Sequence, residues 1–168
     1  MAVQAELKAY FQATQTGSND FGGPSFVPVI NKILQFTSGT GADQVDICWA
    51  DGRTLSASAS ENLDMAGVLT DAFGATVTAA ELVAIVVVAH AGNTNGVVIG
   101  GHASAAVPLF GGTLGTHTVK PGGFFYAAGH DAAGLCTITA TTADMIKVAN
   151  SSSGSSVTYQ IAILARSA

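Results

Sequence analysis

The amino-acid sequence predicts an all-β fold, a single antiparallel β-sandwich, and three observations carry that prediction. Apolar and polar residues alternate with period two in several runs, which places one set on a buried sheet face. Clusters of Gly, Pro, Asn and Ser interrupt these runs about every ten residues, the spacing expected of a sandwich or barrel. Of 168 residues, 48% are hydrophobic and 10% charged, so a core can form under a surface of Ser, Thr, Gly, Ala and Asn. A chain of this length is expected to hold one core.

The elements follow in order. Leu7, Ala9, Phe11 and Ala13 alternate with Lys8, Tyr10, Gln12 and Thr14. Turn residues at 16–20 and Gly22-Gly23-Pro24 come next. Residues 1–42 are therefore read as an N-terminal strand or arm, and 43–168 as the sandwich. Two readings of the N-terminal part stand: the first strand of its own sheet, or an extended arm that adds a strand to another subunit. Val45, Ile47 and Trp49, and then Leu55, Ala57 and Ala59, continue the alternation. A turn of helix is expected around Leu69 to Phe73. Thr78-Ala79-Ala80-Glu81 fits a helix capping box, but the β-branched Val86-Val87-Val88 that follows predicts a central strand over Leu82 to Ala89. In the C-terminal half, Gly96 to Gly100 is expected to pair with a neighbour. A series of hairpins is predicted after it. Thr116 to Lys120 leads through Pro121-Gly122-Gly123 into Phe124 to Ala128, and Leu135 to Thr139 leads into Asp144 to Ala149. Val157 to Ala165 closes the chain. The expected form is jelly-roll-like.

Composition excludes several classes. The charged fraction is well below the roughly 25% of an ordinary soluble domain. Disorder requires low hydrophobicity and high net charge, whereas mean hydropathy here is +0.43. Six Lys and Arg against eleven Asp and Glu leave a net charge of −5, with no basic face for nucleic acid. The N-terminal stretch has no signal-peptide core. The apolar run Leu82 to Ala91 is shorter than the about 20 residues that span a bilayer. Synthesis in a cytoplasm and no membrane anchor are expected.

Searching for chemistry returns little. Cys48 and Cys136 read as two buried thiols, with a disulfide as the lesser alternative. His90, His102, His117 and His130 show no metal-ligand spacing. There is no Gly-x-Ser-x-Gly elbow, phosphate loop or dinucleotide fingerprint. Asp43, Asp46 and Asp51, and Glu61, Asp64 and Asp71, cluster in sequence and read as solvated loop carboxylates. They form no twelve-residue calcium loop. Asn150-Ser151-Ser152 is formally a glycosylation sequon. No catalytic residue, cofactor or metal is expected, and the chain is read as a non-enzyme. Trp49, the single Trp, is either core or an inter-subunit anchor. Beside Asp46 and Asp51 it is also the one place for a carbohydrate-binding β module, a reading that requires it to be exposed. Phe124-Phe125-Tyr126 on one strand sends at least one ring to the opposite face. The candidate interface residues are thus Phe11, Trp49, Phe124 and Tyr126.

One resemblance adds to this. Arg53-Thr54-Leu55-Ser56-Ala57-Ser58-Ala59-Ser60-Glu61-Asn62-Leu63-Asp64 is followed by Gly67-Val68-Leu69-Thr70-Asp71-Ala72-Phe73-Gly74. Then come Asn93-Thr94-Asn95-Gly96-Val97-Val98-Ile99-Gly100-Gly101, Val119-Lys120-Pro121-Gly122-Gly123-Phe124, Ala143-Asp144-Met145-Ile146-Lys147-Val148-Ala149-Asn150-Ser151 and Val157-Thr158-Tyr159-Gln160-Ile161. In this order the blocks, over roughly residues 45 to 165, resemble small virion proteins of tailed bacteriophages. The resemblance implies a structural virion component with no enzyme site. Capsid decoration (cement) proteins of this kind sit as trimers over junctions between capsid hexamers. A homotrimer bound to the major capsid protein is the expectation, with a minor tail, neck or fibre-base protein as the alternative.

Overall fold

The computed structural model describes residues 2–168. The strands are β1 (Ala5–Gln12), β2 (Gln15–Thr16), β3 (Ser25–Phe26), β4 (Val29–Ser38), β5 (Gln44–Val45), β6 (Ile47–Leu55), β7 (Ser60–Asp64) and β8 (Ala66–Thr70). They continue as β9 (Thr76–Thr78), β10 (Glu81–Ala89), β11 (Val97–Gly100), β12 (Thr116–Val119), β13 (Phe124–Ala128), β14 (Cys136–Thr137), β15 (Met145–Asn150) and β16 (Val157–Arg166). The only helical element among the described residues is a 3-10 turn at Pro108–Phe110. Among the described residues no helix is long and apolar enough to cross a membrane.

Two antiparallel sheets form the sandwich. The first runs β13-β10-β16-β6, with β14 against the start of β10; the second runs β12-β11-β15-β7. The pairings nest: β6 with β16, β7 with β15, β10 with β13 and β11 with β12. Two further pairings, β10 with β16 and β11 with β15, join them. This is one long antiparallel hairpin rolled up so that its strand pairs alternate between the two sheets.

Alternation builds the core. Trp49, Leu55, Ile85, Val87, Tyr159, Ile161 and Ile163 from the first sheet meet Leu63, Val97, Ile99, Val119, Ile146 and Val148 from the second. Each large aliphatic side chain so buried contributes about 1.5–3 kcal/mol. In β10 the register against β16 shifts between Leu82 and Ala84, so Val83 is an extra residue in a bulge. The bulge resets the alternation, which lets both Leu82 and Ile85 face the core while Val83 and Ala84 face outward.

Residues 5–38 form a long hairpin of their own. β1 pairs with β4 from Ala5↔Phe36 to Gln12↔Val29, and β2 with β3 extends the ribbon. The base of the hairpin lies on the outer face of the first sheet: Phe36, with Ala5, Leu7 and Leu34, packs on Val83, Ala84, Leu164 and Ala128. β1 thus pairs with β4 and not with a strand of the sandwich.

Three local expectations change. The segment expected as a helical turn at Leu69–Phe73 is the end of β8 and the loop to β9. There Asp71 Oδ1 accepts the amide N–H of Phe73 and of Ala75, each at 2.9 Å, and this side-chain turn competes with a helix. The predicted C-terminal hairpins are instead crossings between sheets, since β12 and β13 lie in different sheets, as do β14 and β15. Lys120-Pro121-Gly122-Gly123 makes the first crossing as a tight turn. Pro121 presets its φ, Gly122 has φ +72°, and Gly123 N–H donates to Lys120 O at 2.8 Å. The cysteines are free thiols, Cys48 exposed and Cys136 half-buried, with no disulfide between them. Burial pushes the Cys136 thiol up to about 11.

Candidate interaction surface

Exposed apolar side chains gather on the hairpin. Among the described residues, Tyr10, Phe11, Phe21, Phe26, Val27, Val29, Ile30 and Ile33 are all exposed there, with only Val68, Phe73, Val88, Leu114 and Phe124 as large counterparts elsewhere. The register explains why. The face that seats Ala5, Leu7, Leu34 and Phe36 on the sheet continues outward as Ala9, Lys32, Phe11 and Ile30. Past the sheet nothing covers it, and Phe11 is 53% and Ile30 65% exposed. The tip is held in shape: Gly17 N–H donates to Pro24 O, and Asn19 Oδ1 accepts the Phe21 N–H, both at 2.9 Å. Phe21 points fully into solvent.

The outer face of the first sheet is a second apolar surface. The pairings align Ala128, Ala84, Leu164 and Cys48 in one row; the hairpin base caps Ala128, Ala84 and Leu164 and leaves Cys48 exposed. The next two rows are Tyr126, Val86, Ala162 and Ala50, then Phe124, Val88, Gln160 and Gly52. Neither row contains a charge. Val86 lines two open grooves of about 470 Å³ each, one between β1 and the Phe124–Tyr126 side, the other toward Ala50 and Gly52.

Of the sequence-predicted interface residues, Phe11 stands exposed on the hairpin, Phe124 is 71% exposed, and Tyr126 is half-buried beside it. Trp49 is 4% exposed and belongs to the core. As an anchor between subunits it is therefore corrected: β6 turns it inward with Leu55, and it has no free face. The same burial removes the stacking platform that a carbohydrate module needs there.

The ionisable groups are tied to local structure. Arg53 Nη1 donates to Glu61 Oε2 at 2.6 Å, and its guanidinium lies 5.5 Å from the Trp49 ring centroid. Its Nε is 3.1 Å from Asp51 Oδ2, a charge contact without hydrogen-bond alignment. Asp46 accepts from the Ser167 N–H at 2.9 Å. Asp64 accepts from Ala66 N–H, also at 2.9 Å. His90 and His102 each accept a nearby backbone N–H through Nδ1, His130 faces Asp43 at 3.2 Å, and His117 packs between Phe110 and Phe125. No group of three or more His, Cys, Asp or Glu is placed to hold a metal among the described residues. Asn150 of the sequon is buried, and its amide donates to Ser56 O at 3.0 Å and Ser155 O at 2.8 Å.

Tyr159 gives one pH prediction. Its side chain is fully buried and its hydroxyl donates to Glu61 Oε1 at 2.7 Å. Burial first, and then the Glu61 bond, hold the phenol far above its ordinary value. The unfolded phenol ionises near about 10, while the folded one keeps its proton, so the unfolded state binds fewer protons above that pH. Stability is thus present below about pH 10 and lost as pH rises past it. Urea unfolding from pH 8 to 11 is expected to show this fall, and Tyr159→Phe to reduce it. A slope of the same sign remains in the variant, because burial also raises Cys136, Cys48 and Tyr126.

Arg166 is the residue that sequence reasoning missed. It is fully buried, donating from Nε to Gln44 O at 3.0 Å and from Nη1 to Glu81 Oε2 at 2.9 Å and Ala132 O at 2.7 Å. Nη2 donates to Asp131 O at 2.5 Å. The only signal was its place at the end of a strongly apolar strand.

No protein-family model, no curated protein and no solved structure matches the chain.

Proposed function

We propose that this chain is a structural virion protein, a capsid decoration subunit that stabilises a phage head as a homo-oligomer. The observation that carries the reading is the concentration of uncovered apolar side chains on one hairpin. Large exposed apolar side chains gathered on one element mark surfaces that meet a partner, and eight of the thirteen on this chain's described residues are on the hairpin. The low surface charge removes the repulsion that normally separates copies. The nested strand order supports the reading at the level of fold, since viral capsid domains use jelly rolls wound in this way. Lectin domains and cupins share that winding, so the site must carry the argument.

The test is quantitative mass spectrometry of purified particles. Hundreds of copies per particle are expected, matching the number of hexamer junctions. A number matching one ring would assign the protein to the tail, neck or fibre base instead. Particles made without the protein are expected to burst at lower temperature or on osmotic shock. Its absence from particles would overturn the proposal.

A further inference from the structure

We infer that the outer half of the hairpin is an exchanged arm, and that its occupant site is the uncovered part of the first sheet's outer face on a second copy of this chain. The inference rests on the self-association proposed above and names the two surfaces that meet.

The fold already contains one instance of this contact. At its base the hairpin face carrying Leu7, Leu34 and Phe36 lies on Val83, Ala84 and Leu164, and both surfaces are buried by it. Each surface continues beyond the contact. On the hairpin it continues as Phe11 and Ile30, and on the sheet as the rows through Val86 and Val88. Both continuations are largely apolar, with Lys32 the one charge on the hairpin's and Gln160 the polar member of the sheet's, and both are open. Within one chain they do not meet, because the ribbon leaves the sheet and opens the groove lined by Ala9, Tyr10, Val86, Phe124 and Tyr126. A second copy brings the missing half of each contact.

Charge and shape agree with this occupant. The two open sheet rows end at Ala50, with its single methyl, and at Gly52, which has no side chain, so a ribbon can approach closely there. The two rows themselves carry no charge; Glu6 and Lys8 line the groove on one side of Val86 and Asp51 the groove on the other, and the arm beyond Lys8 carries only Lys32 and Asp20. The opposite face of the ribbon mixes Tyr10, Val29 and Ile33 with Glu6, Lys8, Gln12, Asn31 and Gln35, so the face continuing from Leu7 and Leu34 is the one that asks for cover. Giving an arm on one surface and receiving one on another closes either as a reciprocal two-fold exchange or as a head-to-tail ring.

Disulfide-free cross-linking between two different chains tests this. Both chains carry Cys48→Ser, which removes the exposed native thiol; Cys136, with its thiol pushed up to about 11, stays unreactive at neutral pH. One chain carries Ile30→Cys and the other Ala50→Cys, both at exposed positions. After mixing, a short bis-maleimide is expected to join the two different chains. The double variant Phe11→Ser with Ile30→Ser is expected to weaken self-association about 100-fold, measured by analytical ultracentrifugation. Phe73→Ser, at a side chain just as exposed but off the arm, is expected to leave it unchanged. Links only between two Ile30→Cys chains would overturn the inference. So would a link within one chain carrying both cysteines at high dilution, or a protein that stays monomeric. If the mixed link fails while the protein is still counted in particles, the exchange is wrong and the virion reading survives. If the link forms and particles lack the protein, the reverse holds.

Discussion

Replacing Arg166 with alanine is expected to cost about 3–5 kcal/mol of folding free energy and to lower the melting temperature by on the order of 10 °C. Arg166 is fully enclosed and its guanidinium joins three separate segments, at Gln44, at Glu81 and at Asp131–Ala132. Alanine leaves three backbone carbonyls and one carboxylate without their donor, and unpaired buried groups are costly. Arg166→Lys is expected to recover little, because an ammonium on a flexible stem cannot reproduce a planar fork aimed at four acceptors. The measurement is chemical and thermal unfolding of both variants. A loss below about 1 kcal/mol for Arg166→Ala would show that water replaces the guanidinium without penalty.

Trp49→Ala is the second large effect, expected at about 3–5 kcal/mol. The ring sits in the core among residues of both sheets and under the Arg53 guanidinium. Its removal leaves a cavity that strands hydrogen-bonded into a sheet cannot collapse to fill, and takes a partner from Arg53. Self-association of whatever fraction remains folded is expected to be unaltered, since the ring has no exposed face. Were stability to hold while association weakened, Trp49 would belong to an interface after all. Unfolding curves paired with sedimentation at matched folded fraction separate the two outcomes.

The strands were readable in the amino-acid order because a sheet with one face on a core demands period two. Val157, Tyr159, Ile161 and Ile163 alternate with Thr158, Gln160 and Ala162, and β16 follows them. Leu82 to Ala89 was readable as central because apolar residues stand at nearly every position, and β10 is flanked on both edges, with the hairpin base over part of its outer face. Turn positions were equally plain, as at Pro121-Gly122. The loop at Asp71 was not, because a carboxylate taking two backbone N–H groups looks, as a string, much like the start of a helix.

Alternation, turn chemistry and the scarcity of charge thus establish an all-β sandwich and a surface suited to close approach, since these are properties of neighbouring residues. Which sheet each strand enters, that β1 turns back on β4, that Trp49 is core, and that Arg166 is its own network are matters of long-range packing. A turn marks where the chain reverses and is silent on whether the next strand pairs or crosses. The missing charge itself says only that copies can lie close. The continuation of one apolar ribbon face past the edge of its own sheet, visible at Phe11 and Ile30, exists only once the chain is folded, because exposure is a relation between residues far apart in sequence.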